Sequence, residues 1–277
     1  MGALTGKVAF VTGAARGQGR AHAVRLAEDG ADVVALDLCA DVPGTPYPGA
    51  TPEDLAETVR LVEKTGRRIV AEQADVRDLA AQEAVLERAV AELGRLDIVV
   101  ANAGITVDPA TNDRITERSW ETTIGINLSG VWRTCRAAIP HLLAHGDGGS
   151  IVITASSAGT RGFGNVGEYV AAKHGVVGLM KSLAIELGPH RVRVNTVHPS
   201  QVDTDMIQHD AYYRLFNPGH PSPGRDELAT ASQTRHLLPV PWVESVDVAN
   251  AVAFLVSDQA RYITGAQLPV DAGAVLK

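Results

Sequence analysis

Short apolar runs of strand length alternate along nearly the whole chain with longer stretches in which apolar residues recur at helical spacing. The runs fall at residues 8–11, 33–36, 68–71, 98–101, 151–154, 192–195 and near 267–270. Most are continuously apolar rather than alternating, which suits strands covered on both faces, and the helical stretches between them supply crossovers. The pattern predicts an α/β fold, a three-layer doubly wound parallel sheet of seven strands. Ligands of such a sheet bind beyond the carboxyl ends of its strands, so the residues just after each run are where chemistry is to be sought.

Composition adds limits. At 277 residues, 45% hydrophobic and 21% charged, the chain suits one globular domain over 1–277, and its densest Pro/Gly stretch, at 42–49, is too short to divide it. A net charge of −7 leaves no electrostatic footprint for nucleic acid and disfavours anionic membranes. The first residues lack an apolar signal core, and no apolar run approaches the roughly 18 residues of a spanning helix, so a cytoplasmic location is expected. Cys39 and Cys135 make no disulfide framework. The nine histidines fall in no metal-ligand spacing, and no metal is assigned.

The first run ends at Thr12 and opens into Gly13-Ala14-Ala15-Arg16-Gly17-Gln18-Gly19, with a helix to follow. Glycines let backbone approach a pyrophosphate, and a helix N-terminus offers free N–H groups. Started at Gly17, the strict G-x-G-x-x-G fingerprint fails at His22; the pattern present is G-x-x-x-G-x-G, which also suits an ordinary glycine turn. Asp37, ending the second run, shifts the balance. A carboxylate there accepts hydrogen bonds from both ribose hydroxyls and repels a 2′-phosphate, so NAD is favoured over NADP, with Leu38 beside it on the cofactor side. Arg16 argues the other way, because a guanidinium could pair with that phosphate. Asp75 and Val76 follow the third run, on the adenine side, and Asn102, Ala103 and Gly104 follow the fourth; each alone would also suit a turn or cap.

Tyr169 and Lys173 are four apart in a helical stretch and share a face. An ammonium beside a phenol favours phenolate, which a proton acceptor for an alcohol requires, since a free phenol titrates near pH 10. Ser156 or Ser157, at the end of the fifth run, would hold the substrate oxygen. Asn127 lies on a helical stretch where helix packing is its alternative role.

Together these residues identify the chain as similar to the short-chain dehydrogenase/reductases over essentially its full length. The matching motifs are Thr12-Gly13-x-x-x-Gly17-x-Gly19, Asp75, Asn102-Ala103-Gly104, Asn127, Ser156, Tyr169-x-x-x-Lys173 and residues 195–204 around Pro199. The resemblance implies a Rossmann-type sheet and selects Ser156 over Ser157. It implies that Asn127 fixes a helix irregularity and a water linking Lys173 to solvent, that Lys173 also bonds the nicotinamide ribose, and that Pro199, Val202 and Thr204 place the nicotinamide. Gln18 with His22, and the Pro-rich insertion after Asp37, resemble the mycofactocin-associated, carveol dehydrogenase-like branch. That branch implies NAD held too tightly to exchange and an external redox partner (mycofactocin), while the family resemblance implies a homotetramer built partly through the long helices carrying Asn127 and Tyr169. One departure stands out: His198-Pro199-Ser200 where the family often has Pro-Gly.

Two segments are expected to govern the substrate. Residues 205–242 gather aromatics in a chain with only 4% of them and predict a lid over an apolar pocket. Residues 38–51 form a cofactor-side insertion, stiffened by Pro43, Pro46 and Pro48. The resulting expectation is NAD-dependent interconversion of a hydrophobic secondary alcohol, terpenoid by the branch resemblance, and its ketone. An NADPH-linked ketone or 3-oxoacyl reductase and a non-catalytic dinucleotide sensor are the alternatives.

Overall fold

The computed structural model describes residues 2–277. Seven strands, β1 (Val8–Thr12), β2 (Asp32–Asp37), β3 (Ile69–Gln73), β4 (Ile98–Ala101), β5 (Gly149–Thr154), β6 (Val192–Pro199) and β7 (Gln267–Val270), form one sheet. Its order is β3-β2-β1-β4-β5-β6-β7, and every neighbouring pair is parallel. The chain winds outward from β1 to β3 and then returns to lay β4 against the other side of β1. That reversal opens a crevice above the β1 and β4 carboxyl ends, where ligands of such sheets bind.

The helices are α1 (Gly17–Glu28), α2 (Pro52–Lys64), α3 (Leu79–Leu93), α4 (Glu117–Ile124), α5 (Val131–Ala144), α6 (Gly167–Leu187), α7 (Asp210–Phe216), α8 (Arg225–Gln233) and α9 (Ser245–Val256). Local sequence sets their starts. Thr51 and Asp54 form a reciprocal capping box with Pro52 in the first turn of α2, and Asp78 caps α3.

Alternate residues of the strands feed two cores. Phe10, Leu36, Val99 and Ile151 pack with Leu86 of α3, Cys135 of α5 and Met180 of α6, while Val11, Val33 and Val100 face Leu26 of α1, Val62 of α2 and Val252 of α9. Burying each such leucine or valine stabilises the fold by about 1.5–3 kcal/mol. The two cores clamp the sheet and leave its carboxyl-end rim free for function.

Two details of this frame matter below. β6 runs on to Pro199, four residues beyond its apolar start, so His198 is a buried strand residue rather than part of a loop. Between α4 and α5 the helix widens into a π-helical segment, Gly125–Gly130, that carries Asn127. No helix among the described residues is long and apolar enough to cross a membrane.

Candidate active site

One cavity of about 940 Å³ lies over the crevice, lined from the β1 turn, the ends of β2, β4, β5 and β6, and α6. Every residue expected at the site lines it except Asn127, which is buried behind it.

At the turn after β1, Gly13 and Gly17 have φ of +66° and +53°, and a Cβ on Gly19 would stand 1.8 Å from the Gly13 carbonyl oxygen. Such winding needs glycine. Arg16 ends the turn with extended backbone, and no side chain caps α1, so its first N–H groups face the cavity uncommitted. Beside them the buried Gln18 Oε1 accepts no hydrogen bond. Asp37 is held in place: one oxygen accepts the Ala15 N–H at 2.9 Å and the other the Cys39 N–H at 3.1 Å. Uncapped amides, an orphan acceptor and a fixed carboxylate at a β-strand end fit a dinucleotide.

Arg16 does not behave as a phosphate ligand would. Its guanidinium pairs with Asp205 at 2.9 Å and donates to the Pro48 carbonyl, tying the two segments flanking the cleft together. Asp75 is likewise occupied. Burial would raise its pKa, yet the Arg77 guanidinium, at 2.6 Å, and the Arg77 N–H hold it below the usual carboxylate range. The adjacent Val76 is buried and, like Leu38, lines the cavity. Asn102 knits the strand ends: Nδ2 donates to the Thr12 carbonyl at 3.1 Å, Oδ1 accepts from the Thr154 hydroxyl at 3.2 Å, and the Thr12 hydroxyl accepts the N–H groups of Asn102 and Ala103. His22 is fully buried with neither ring nitrogen partnered, and desolvation takes it down to about 4, so it is neutral.

The proton-handling side differs from the sequence expectation in one respect. Lys173 is buried, donates to the Thr154 carbonyl at 2.7 Å and lies 5.5 Å from the centre of the Tyr169 ring. Burial lowers it to about 8. The Tyr169 phenol is not depressed but pushed up to about 12, by desolvation first, with the nearby Ser156 hydroxyl opposing. The cause is burial, since the phenol has left water. Ser156, in extended backbone at the end of β5, accepts the Ala158 N–H at 3.1 Å and starts a single 3₁₀ turn, Ser157–Gly159.

Further contributions depend on contacts that the local sequence does not announce. His198 Nδ1 donates to the Ser156 carbonyl at 2.8 Å, because a carbonyl only accepts; Nε2 therefore accepts from the Thr196 hydroxyl at 2.8 Å. Burial lowers its pKa and keeps this tautomer neutral. Ser200, where glycine was expected, uses its hydroxyl: it donates to His236 Nε2 at 2.9 Å, while His236 Nδ1 donates to the Val240 carbonyl. Ala274 and Lys277 also line the cavity, far along the chain from every motif. Pro199 ends β6, Val202 is buried beyond it, and the Thr204 methyl would meet a Cβ on Gly17 at 3.2 Å, so this stretch closes over the glycine turn.

Asn127 makes two buried bonds to one residue. Its Oδ1 accepts the Ile105 N–H at 2.9 Å and its Nδ2 donates to the Ile105 carbonyl at 2.8 Å, bracing the stretch that follows Gly104. Among the described residues no group of three His, Cys, Asp or Glu is placed to hold a metal ion.

Comparison with known proteins agrees with this geometry. Residues 13–275 match the family model described as Enoyl-(Acyl carrier protein) reductase. The (-)-trans-carveol dehydrogenase of Rhodococcus erythropolis is 55% identical over 277 residues, covering 100% of both chains. The crystal structure of carveol dehydrogenase from Mycobacterium avium in complex with NAD superposes with a TM-score of 0.99 at 54% identity, covering 100% of each chain. That of a short chain dehydrogenase from Mycobacterium paratuberculosis bound to NAD gives 0.92 at 43% identity, again with 100% coverage of both.

Proposed function

The chain belongs to the short-chain dehydrogenase/reductase family, and from that premise we propose an NAD-dependent dehydrogenase that interconverts an apolar, terpenoid-sized secondary alcohol and its ketone. One observation carries the reading: the fixed Asp37 carboxylate and the Ser156, Tyr169 and Lys173 side chains line a single cavity. NAD, when bound, supplies the hydride acceptor. The uncapped α1 turn and Asp37 would hold its pyrophosphate and adenosine ribose, and the Asp37 charge sets the preference against a 2′-phosphate. With Arg16 already paired to Asp205, the NADPH-linked alternative loses its cationic ligand.

Ser156 donates to the alcohol oxygen and orients it toward the Tyr169 phenol. Tyr169 takes the hydroxyl proton in oxidation and returns it in reduction; its high starting pKa makes it a ready proton donor to a ketone and a base only where positive charge lies close. Lys173 holds that charge near the ring and bonds the nicotinamide ribose. Apolar side chains, among them Met206, Ile207, Leu215 and Phe216, receive the body of the substrate.

Residues 38–51 act as a cover over the cofactor, and 205–242 as a lid over the substrate. Their joining through Arg16 supports a tightly retained NAD whose electrons pass to an external redox partner, mycofactocin in the branch this chain resembles. Exposed Trp120, Trp132 and Ile185 on α4, α5 and α6 support assembly as a homotetramer.

Adding a cyclic secondary alcohol to the purified protein should produce the absorbance of reduced nicotinamide, in a single burst if NAD is retained. Tyr169→Phe should slow this by about 10²–10⁴ while leaving NAD content unchanged. Undiminished reduction by a folded Tyr169→Phe protein refutes the mechanism, and rapid equilibration of bound NAD with labelled NAD refutes its retention.

A further inference from the structure

The 38–51 segment leaves β2 beside the adenosine-ribose carboxylate, yet one of its side chains reaches the chemical end of the cavity. The Tyr47 hydroxyl accepts the Thr106 N–H at 3.1 Å. Thr106 follows Ile105, the residue that Asn127 clamps through both backbone groups, so the ring is referenced to the same buried side chain as the stretch behind the proposed proton-transfer residues. On its other side Tyr47 packs on His209, with ring centres 5.3 Å apart, and the row continues through Tyr212 to the stacked ring of Phe216, 4.8 Å beyond it. Tyr47, Tyr212 and Phe216 line the cavity. Tyr47 also lies near enough to Tyr169 to add to the upward push on that phenol.

The placement is built rather than incidental. Pro46 and Pro48 flank Tyr47 and restrict the backbone on both sides, and the Thr45 hydroxyl, at 3.1 Å from the Tyr47 carbonyl, closes a small turn around it. A stiff loop that loses little entropy can present a ring as a fixed wall.

We propose that Tyr47 is a substrate-positioning and size-selecting residue, its ring forming the wall that presses the apolar body of the alcohol toward the 205–242 segment and so sets where the hydroxyl meets Ser156 and Tyr169. The proposal rests on the alcohol dehydrogenase reading above. It gives the 38–51 segment a second duty, because the loop covering the cofactor also selects the substrate.

The test uses the full-length protein with its bound NAD, cyclohexanol and a bulkier ring-substituted cyclohexanol. Affinity is read by calorimetry, and turnover by the half-saturating concentration and limiting rate of bound-cofactor reduction. Tyr47→Ala should weaken cyclohexanol by about 10-fold and spare the bulkier alcohol, shifting the affinity ratio by about 10-fold, the range open to contacts in an apolar pocket. The limiting rate should change far less than the half-saturating concentration. Tyr47→Phe keeps the ring and should keep the ratio to within about 3-fold, which also guards against a misfolded alanine variant. An unchanged ratio in Tyr47→Ala, or equal weakening of both alcohols together with loss of NAD, overturns the proposal. A wild type that binds both alcohols without reducing its cofactor overturns the dehydrogenase reading instead, and the affinity ratio then still judges Tyr47.

Discussion

Replacing Asn127 by alanine separates two roles that the family pattern runs together. In this structure its amide satisfies both backbone groups of Ile105, at 2.9 and 2.8 Å, in a place with no exposure to solvent. Each buried backbone group left without a partner costs about 1–3 kcal/mol, so the truncation removes about 2–6 kcal/mol before relaxation. The space vacated is polar on two sides and suits a water molecule, which recovers part of that and places the expectation near 3 kcal/mol. For a chain of this size, about 2–4 °C of melting temperature accompanies each kcal/mol, so the midpoint should fall by roughly 6–12 °C. Urea titration followed by circular dichroism gives the free energy, and alcohol-driven reduction of bound cofactor gives the activity. Asn127→Asp should cost at least as much, since a carboxylate oxygen then faces the Ile105 carbonyl. A change in stability below about 0.5 kcal/mol with activity lost would refute the bracing argument and leave Asn127 as part of a proton path.

Two further substitutions probe charge. Asp37→Ser should narrow the preference for NAD over NADP by about 10-fold or more, because hydrogen bonds to a charged acceptor are worth about 1.5–3 kcal/mol and the repulsion of a 2′-phosphate goes with them; equal affinity of the wild type for both cofactors, in fluorescence titrations, would refute the assignment. Asp97 is buried between Lys7, Arg95 and the Val8 N–H, and although burial would raise its pKa these partners hold it low. A lowered folded-state pKa contributes stability that is complete above the unfolded value, about 3.9, and is lost as the pH falls through the folded one. Asp97→Asn should therefore lower stability by about 2 kcal/mol at pH 7, less than the roughly 3–5 kcal/mol for a wholly buried pair because Lys7 and Arg95 stay partly solvated. Melting curves of variant and wild type should start to approach one another only below about pH 4 and meet once the pH has fallen through the lower, folded-state value.

What the sequence made legible was whatever depends on local period and strand ends. Short, mostly apolar runs located all seven strands, and the residues just beyond their ends, with Tyr169 and Lys173 of α6, face one cavity. What escaped depends on partners distant in the chain. At His198 a polar ring interrupts the apolar pattern, yet the strand continues and the ring meets the Ser156 carbonyl 42 residues away. Ser200 by local sequence is only the absence of a glycine, since nothing nearby announces His236, 36 residues on. By sequence Arg16 can pair with a phosphate, since Asp205 and Pro48, its partners in the fold, lie far from it along the chain. For Tyr169, helical spacing reveals the neighbouring lysine but not the desolvation, a property of the closed fold, that pushes the phenol up.

The Arg16 bridge has a kinetic corollary. Its backbone belongs to the glycine turn, while its guanidinium grips Asp205 on one flank of the cleft and the Pro48 carbonyl on the other. Under the proposed function, a ligand as long as a dinucleotide seated beneath that bridge would need both grips to part before it left, whereas a small alcohol would need only a gap. The two ligands would then exchange by different motions, one requiring two ruptures together and the other a single excursion.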